Sequence, residues 1–215
     1  MPVPSHTVSD LRSLLAARFP ERIRKPSGGV PATVRSIDDA LGGGLPAGRL
    51  TELVSAVPSA GGQTVIARLL AATQAARQRI ALVDGADGFA PEALPDDLLR
   101  HLVWVRCREP AQAFAVADIL VRDGNYAAVV LDLRGCAERV LRRTPASLWY
   151  RLQRAAEGGS VAVLVQTQSP LVPAVPSRLV LETPLSLDAA AEERESLAER
   201  IGVRTDRSPT PALEE

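Results

Sequence analysis

The stretch from Leu41 to Thr64 constrains this chain more than any other, because it reads as strand, glycine loop and helix. Gly42-Gly43-Gly44 leads into the apolar run Arg49 to Val54, and Gly61-Gly62-Gln63-Thr64 opens into Val65-Ile66-Ala67-Arg68-Leu69-Leu70. The backbone N–H groups of a glycine loop that feeds a helix N-terminus converge and form an anion site. The phosphate-loop motif Gly-x-x-x-x-Gly-Lys-Ser/Thr can be laid so that its last three residues fall on Gly62, Gln63 and Thr64. That register puts Val57 at its first glycine and Gln63 at its lysine. The loop is present and its charge is gone.

Nothing nearby restores that charge. The single lysine, Lys25, lies far upstream in a segment of its own. The formal net charge is zero, so the chain as a whole does not attract nucleic acid, and any DNA contact needs a local patch. Cys107 and Cys136 stand alone, in spacings that suggest neither a metal site nor a disulfide framework. His6 and His101 are isolated, with no acid–base partner visible in the sequence. No apolar run approaches the length of a membrane span and no leader pattern is read, so a cytoplasmic location is expected. At 215 residues, with 46% apolar but only 3% aromatic, the chain predicts one well-buried domain with an aliphatic core.

In chain order, Val8, Leu11, Leu14, Leu15 and Phe19 lie close to helical spacing, with Thr7 or Ser9 as N-cap and Pro20 as stop. This helix and its linker make a first segment, residues 1–32. It either packs on its own domain or serves as a docking arm for another protein. Ser36 to Leu41 reads as a capped helical turn. Strands follow at Arg49–Val54, Ile80–Asp84, Leu102–Val105, Ala127–Asp132, Ser160–Gln166 and Arg178–Glu182. Helices are expected at Gln63–Arg77, 110–122 and Pro145–Glu157; in the second, Phe114, Ala117, Ile119, Leu120 and Val121 are candidate buried positions. Strands apolar on both faces, alternating with helices, predict a doubly wound, mainly parallel sheet over residues 33–183. Asp84, Asp132 and Gln166 then sit at strand carboxyl ends beside the glycine loop, where such sheets bind ligands. Residues 184–215 read as an acidic helix with one apolar edge, Leu187, Leu197 and Ile201 among it, ended by Gly202 and followed from Thr205 by a disordered tail.

With these features in order, the core resembles the RecA family. Ser36-Ile37-Asp38-Asp39-Ala40-Leu41-Gly42-Gly43-Gly44-Leu45-Pro46-Ala47-Gly48-Arg49 looks like that family's lead-in to its phosphate loop. Val129-Val130-Leu131-Asp132 is similar to its Walker B strand, and Leu164-Val165-Gln166 to the strand ending in its γ-phosphate sensor. Leu82 to Pro91 is similar to the stretch bearing the catalytic glutamate, and Ala86 falls on that position. Losing lysine and glutamate together removes the charge neutralisation and water positioning on which phosphoryl transfer depends. The loop after Gln166, Thr167 to Ser177, is short, proline-rich and without aromatics to stack on bases.

With the glycine loop so altered, the N-terminal helix and the short C-terminal extension, the chain is similar to the ImuA group, RecA-like accessory proteins of the bacterial mutasome, also called SulA-like. The resemblance implies a non-catalytic role in SOS-linked, error-prone translesion synthesis, with an ImuB-type polymerase paralogue, RecA and an error-prone replicative-type polymerase as partners, and it leaves room for self-association. No cofactor or metal is expected, and the altered loop argues against ATP. Gly61, Gly62, Gln63, Thr64, Asp132 and Gln166 are the nucleotide-loop positions. They read either as a residual phosphate site or as a tight turn, with Asp132 hydrogen-bonded to Thr64 or to the loop. Arg139, Arg142, Arg143, Arg151 and Arg154, interleaved with Trp149 and Tyr150, form the candidate DNA patch; a solvated helix face is the alternative. The protein interface is expected at Val8, Leu11, Leu14, Leu15, Phe19, Leu187, Leu197 and Ile201. A weak DNA-stimulated ATPase or nucleotide-gated regulator of recombination is the rival reading. Division inhibition has no support in these residues.

Overall fold

The computed structural model describes residues 29–206 except Pro58, Thr183 and Leu187. The helix expected from Thr7 to Phe19 and the tail beyond Asp206 lie outside the described residues. Strand β1 (Gly29–Val30) pairs antiparallel with β2 (Leu45–Pro46) on either side of helix α1 (Arg35–Leu41). There follow β3 (Leu50–Val54), α2 (Gly62–Ala75), β4 (Ile80–Asp84), α3 (Asp96–Leu99), β5 (Leu102–Arg106), α4 (Pro110–Asp123) and β6 (Ala128–Asp132). The chain continues through α5 (Glu138–Arg142), α6 (Ala146–Glu157), β7 (Ala162–Thr167), β8 (Ser177–Leu181), α7 (Arg194–Arg200) and β9 (Val203–Thr205).

The main sheet has the order β5-β4-β6-β7-β3-β8-β9, parallel throughout except for the last pairing. Because successive strand side chains point to opposite faces, each apolar strand feeds two cores. Leu53, Leu82, Val130 and Leu164 pack under α1, α2 and α7, against Ile37, Ile66, Leu69 and Ile201. Val83, Leu131, Val163 and Val165 pack under α4, α5 and α6, against Phe114, Leu141, Trp149 and Leu152. The doubly wound, mainly parallel sheet is as expected.

Four local expectations are corrected. Ser36 is not a helix cap: Val34 holds that place without a side-chain bond, and the Ser36 hydroxyl donates to the Ile201 carbonyl at 2.5 Å. Ile119 is 66% exposed, since α4 buries Ala113, Phe114, Ala117 and Val121, and Ile119 faces away from that stripe. The sheet does not stop near residue 183, because β9 adds antiparallel to β8 and Thr205 belongs to a strand rather than to a tail. The apolar edge of the acidic helix is not open: Ala198 and Ile201 are buried against the body, and Glu195 pairs with Arg68 at 2.6 Å.

Candidate functional site

Register brings the expected strand-end residues together. Asp84 is opposite Asp132, Asp132 is opposite Gln166, and Gln166 is opposite Leu53, two residues before the loop begins at Ser55. Gly61 takes φ of 93°, a left-handed turn that a side chain resists, and a Cβ there would press on Ile201 Cδ1 at 2.9 Å. The C-terminal segment therefore braces the turn that starts α2. At the next residue, a Cβ on Gly62 would collide with the Arg134 guanidinium and come within 3.0 Å of Gln166 Oε1.

Each carboxyl-end side chain is engaged within the chain. Asp84 accepts backbone N–H bonds from Gly88 at 3.0 Å and Phe89 at 3.0 Å and faces Trp104 Nε1 at 3.4 Å, so it shapes the loop after β4. Asp132 is taken by Arg134 and not by Thr64: Oδ1 accepts from the Arg134 backbone N–H at 3.1 Å and from Nε at 2.9 Å, and Oδ2 accepts from Nη2 at 2.5 Å. A two-point guanidinium–carboxylate fork of this kind fixes direction as well as charge. Gln166 donates through Nε2 to the Gly62 carbonyl at 3.2 Å, while its buried Oε1 has no hydrogen-bond partner among the described residues. Gln63 is exposed and donates to the Gly88 carbonyl at 3.1 Å, bridging the glycine loop to the loop after β4. Thr64 is half-buried in the first turn of α2.

The segment after β6 closes over this group. A Cβ on Gly135 would run into Ala86 Cβ, so the Gly135 backbone lies against one side of Ala86, which is otherwise exposed. The Gln168 side chain donates to the Arg134 carbonyl, and Cys136 Sγ donates to the Gly85 carbonyl at 3.3 Å. Burial first, then the Asp132 and Asp84 carboxylates, push the Cys136 thiol up to about 11. It is therefore a packing group rather than a nucleophile. Arg134, Gly135 and Gln168 escaped the sequence reading. The available signal was an arginine and a glycine directly after a strand-end aspartate, where the loop must turn back across the sheet end.

The loop after β7 is pinned from below. Glu52 Oε1 accepts the Leu171 N–H at 2.7 Å, the Val172 N–H at 3.1 Å and the Thr167 hydroxyl at 3.2 Å, and Oε2 accepts Arg178 Nε at 2.6 Å. Both oxygens of this buried carboxylate are thus satisfied by donors from the chain. His101, isolated in sequence, has its Nε2 3.0 Å from the Thr73 hydroxyl.

The arginine group is divided by the fold. Arg139, Arg143, Arg151 and Arg154 are exposed along α5 and α6 with Tyr150, whereas Arg142 is tied to Glu138 at 2.5 Å and Arg151 reaches Asp118 at 3.4 Å. Trp149 does not belong to that surface. It is buried edge-on against Phe114, with ring centroids 4.6 Å apart. Of the expected protein-interface positions, Val8, Leu11, Leu14, Leu15, Phe19 and Leu187 lie outside the described residues. Leu197 is half-buried and Ile201 is only 3% exposed, so Ile201 is spent on the chain's own core. Among the described residues, no group of three or more His, Cys, Asp and Glu side chains could hold a metal, and no helix is long and apolar enough to cross a membrane.

Comparison with known proteins bears on the fold. The chain is 36% identical over 123 residues to protein RecA of Mycolicibacterium smegmatis, a match covering 54% of this chain and 34% of that protein. It is 31% identical over 151 residues to protein RecA of Kineococcus radiotolerans, covering 61% and 42%, and 36% identical over 102 residues to that of Rubrobacter xylanophilus, covering 45% and 29%. The chain thus spans between 29% and 42% of the length of these relatives. No protein-family model matches it. A mostly parallel sheet of seven strands with helices on both faces, together with this partial sequence similarity, makes the fold RecA-like α/β and relates the chain distantly to RecA.

Proposed function

We propose that this protein is a non-catalytic, RecA-like accessory factor of error-prone DNA synthesis after damage. In this reading it works through contacts with an inactive Y-family polymerase paralogue of the ImuB type and with RecA, not through ATP turnover. The observation that carries the proposal is the packing of Gly135 against Ala86. A RecA-type ATPase needs a carboxylate projecting from that position to orient water, and here the position carries only a methyl group, flanked on one side by the Gly135 backbone. Gln63, in the lysine's place, has no charge to offer a γ-phosphate and spends its amide on Gly88.

The lead-in Ser36 to Arg49 and the relationship to RecA support ancestry in a recombinase. The ImuA-like features at the two ends of the sequence point to partner binding. The segment Thr7 to Phe19 is the first candidate contact for RecA. Within the C-terminal segment, the exposed acidic face of α7, Glu195 and Glu199, replaces the buried Ile201 as the contact for the polymerase paralogue. DNA contact, through Arg139, Arg143, Tyr150 and Arg154, is secondary and salt-sensitive.

The direct experiment combines nucleotide titration with co-purification. Millimolar Mg·ATP should neither raise the melting temperature of the wild-type protein nor be hydrolysed, and the polymerase paralogue should co-purify with it. Hydrolysis, or loss of the partner with a fully folded protein, overturns the proposal. A nucleotide-gated regulator is the second reading, favoured by the retained alignment of Asp84, Asp132 and Gln166 beside the loop. ATP-dependent stabilisation without turnover would favour it.

A further inference from the structure

The Arg134 guanidinium sits where the chain's own electrostatics do not invite it. Gly61 and Gly62 present the N-terminus of a 14-residue helix, the positive end of its dipole, and a cation is disfavoured there. What holds Arg134 is Asp132, through three hydrogen bonds, and the Gln168 side chain on its carbonyl. The Nη1 end that these bonds leave over is the one that abuts Gly62. Gln166 Oε1 converges on the same point, fully buried and without a hydrogen-bond partner among the described residues. A buried polar atom left unmatched marks a place the fold has filled imperfectly.

We infer that Arg134 is a built-in plug that closes the anion end of the glycine loop, with Asp132 as its latch. The loop's N–H groups would face an anion if the space above Gly62 were open. The latched guanidinium takes that space, and its pairing with Asp132 leaves no net positive charge there to recruit a phosphate. The site is therefore shut by a side chain rather than only stripped of its lysine. This holds whichever partner the protein serves.

The test compares the wild type with Arg134→Ala and Arg134→Met, using inorganic tripolyphosphate with magnesium as the probe. Both variants should bind it at least about tenfold more tightly than the wild type by titration calorimetry. They should also gain a probe-dependent rise in melting temperature that the wild type lacks. Arg134→Met keeps the bulk of the side chain, so it serves if the alanine variant fails to fold; circular dichroism checks both. Adding Gly62→Ala to Arg134→Met should abolish the gain, which places the probe at the loop. Equal binding by wild type and variants, or a gain that survives Gly62→Ala, overturns the plug. If none of the proteins binds, only the plug falls and the non-catalytic reading stands. If all bind equally, the wild type's silence toward nucleotide falls with it.

Discussion

Two carboxylate–arginine pairs are held by the same sheet, one within it and one at a strand's carboxyl end, and they do different work. Glu52 and Arg178 are 126 residues apart in sequence, 0% and 3% exposed, and surrounded by further donors from Thr167, Leu171 and Val172. Asp132 and Arg134 are two residues apart, 5% and 14% exposed, and face the glycine loop. The first pair ties β3, β8 and the loop after β7 into one unit. The second ties nothing distant together: it points a side chain at Gly62. An ion pair that joins remote elements is part of the fold, whereas one closed within a single turn can be opened with the fold left standing.

That contrast fails or holds on measurement. Arg178→Met should cost the most, about 3–5 kcal/mol in urea unfolding, because it leaves the buried Glu52 carboxyl group without its partner. Arg134→Met should cost less, roughly 1–3 kcal/mol, since Asp132 keeps the backbone N–H of residue 134 and lies nearer solvent. If the two losses come out equal, the division between a fold-bearing and a site-closing pair is wrong. Ala86→Glu, which puts a carboxylate where the resemblance to RecA implies one, should destabilise by about 1 kcal/mol or less, since Ala86 is exposed and touches Gly135 on one side only, and should produce no ATPase activity. Turnover in that variant would show that the closed loop yields easily.

The smallest effect concerns a group outside both pairs and sets the background for the others. Burial lowers the His101 pKa below its ordinary value of 6.5, with the Leu70 carbonyl partly offsetting it. The fold thus prefers the neutral ring, and below that value the unfolded chain binds more protons. Stability from this site is full above about pH 6.5 and is lost as pH falls through the lowered folded value. His101→Gln should flatten the urea midpoint across that window. An unchanged slope would assign the pH dependence to the carboxylates instead.

The parallel α/β architecture was legible because it is written in local pattern. Ile80 to Val83, Ala128 to Leu131 and Ala162 to Val165 are apolar on both faces, and only a sheet covered on both sides accepts such runs. The strand-end placement of Asp84, Asp132 and Gln166 followed from the same pattern. Contacts made by residues with no pattern were not legible. Ile201 looked like an open edge until α7 docked on α2, and β9 is too short for periodicity to register. Ile119 and Trp149 exchanged their expected environments because one helix position decides which side meets the sheet.

The sequence by itself determined that the glycine loop holds no lysine, that an alanine follows the second core strand at residue 86, and that two-faced apolar strands must stack in parallel. Those are properties of composition and spacing. Only the tertiary structure decided what fills the space left behind. Arg134 reaches Gly62 and Gly135 abuts Ala86 because the turn after β6 folds back across the sheet end, between strands β4 and β7 that lie beside β6 in space but far from it along the chain.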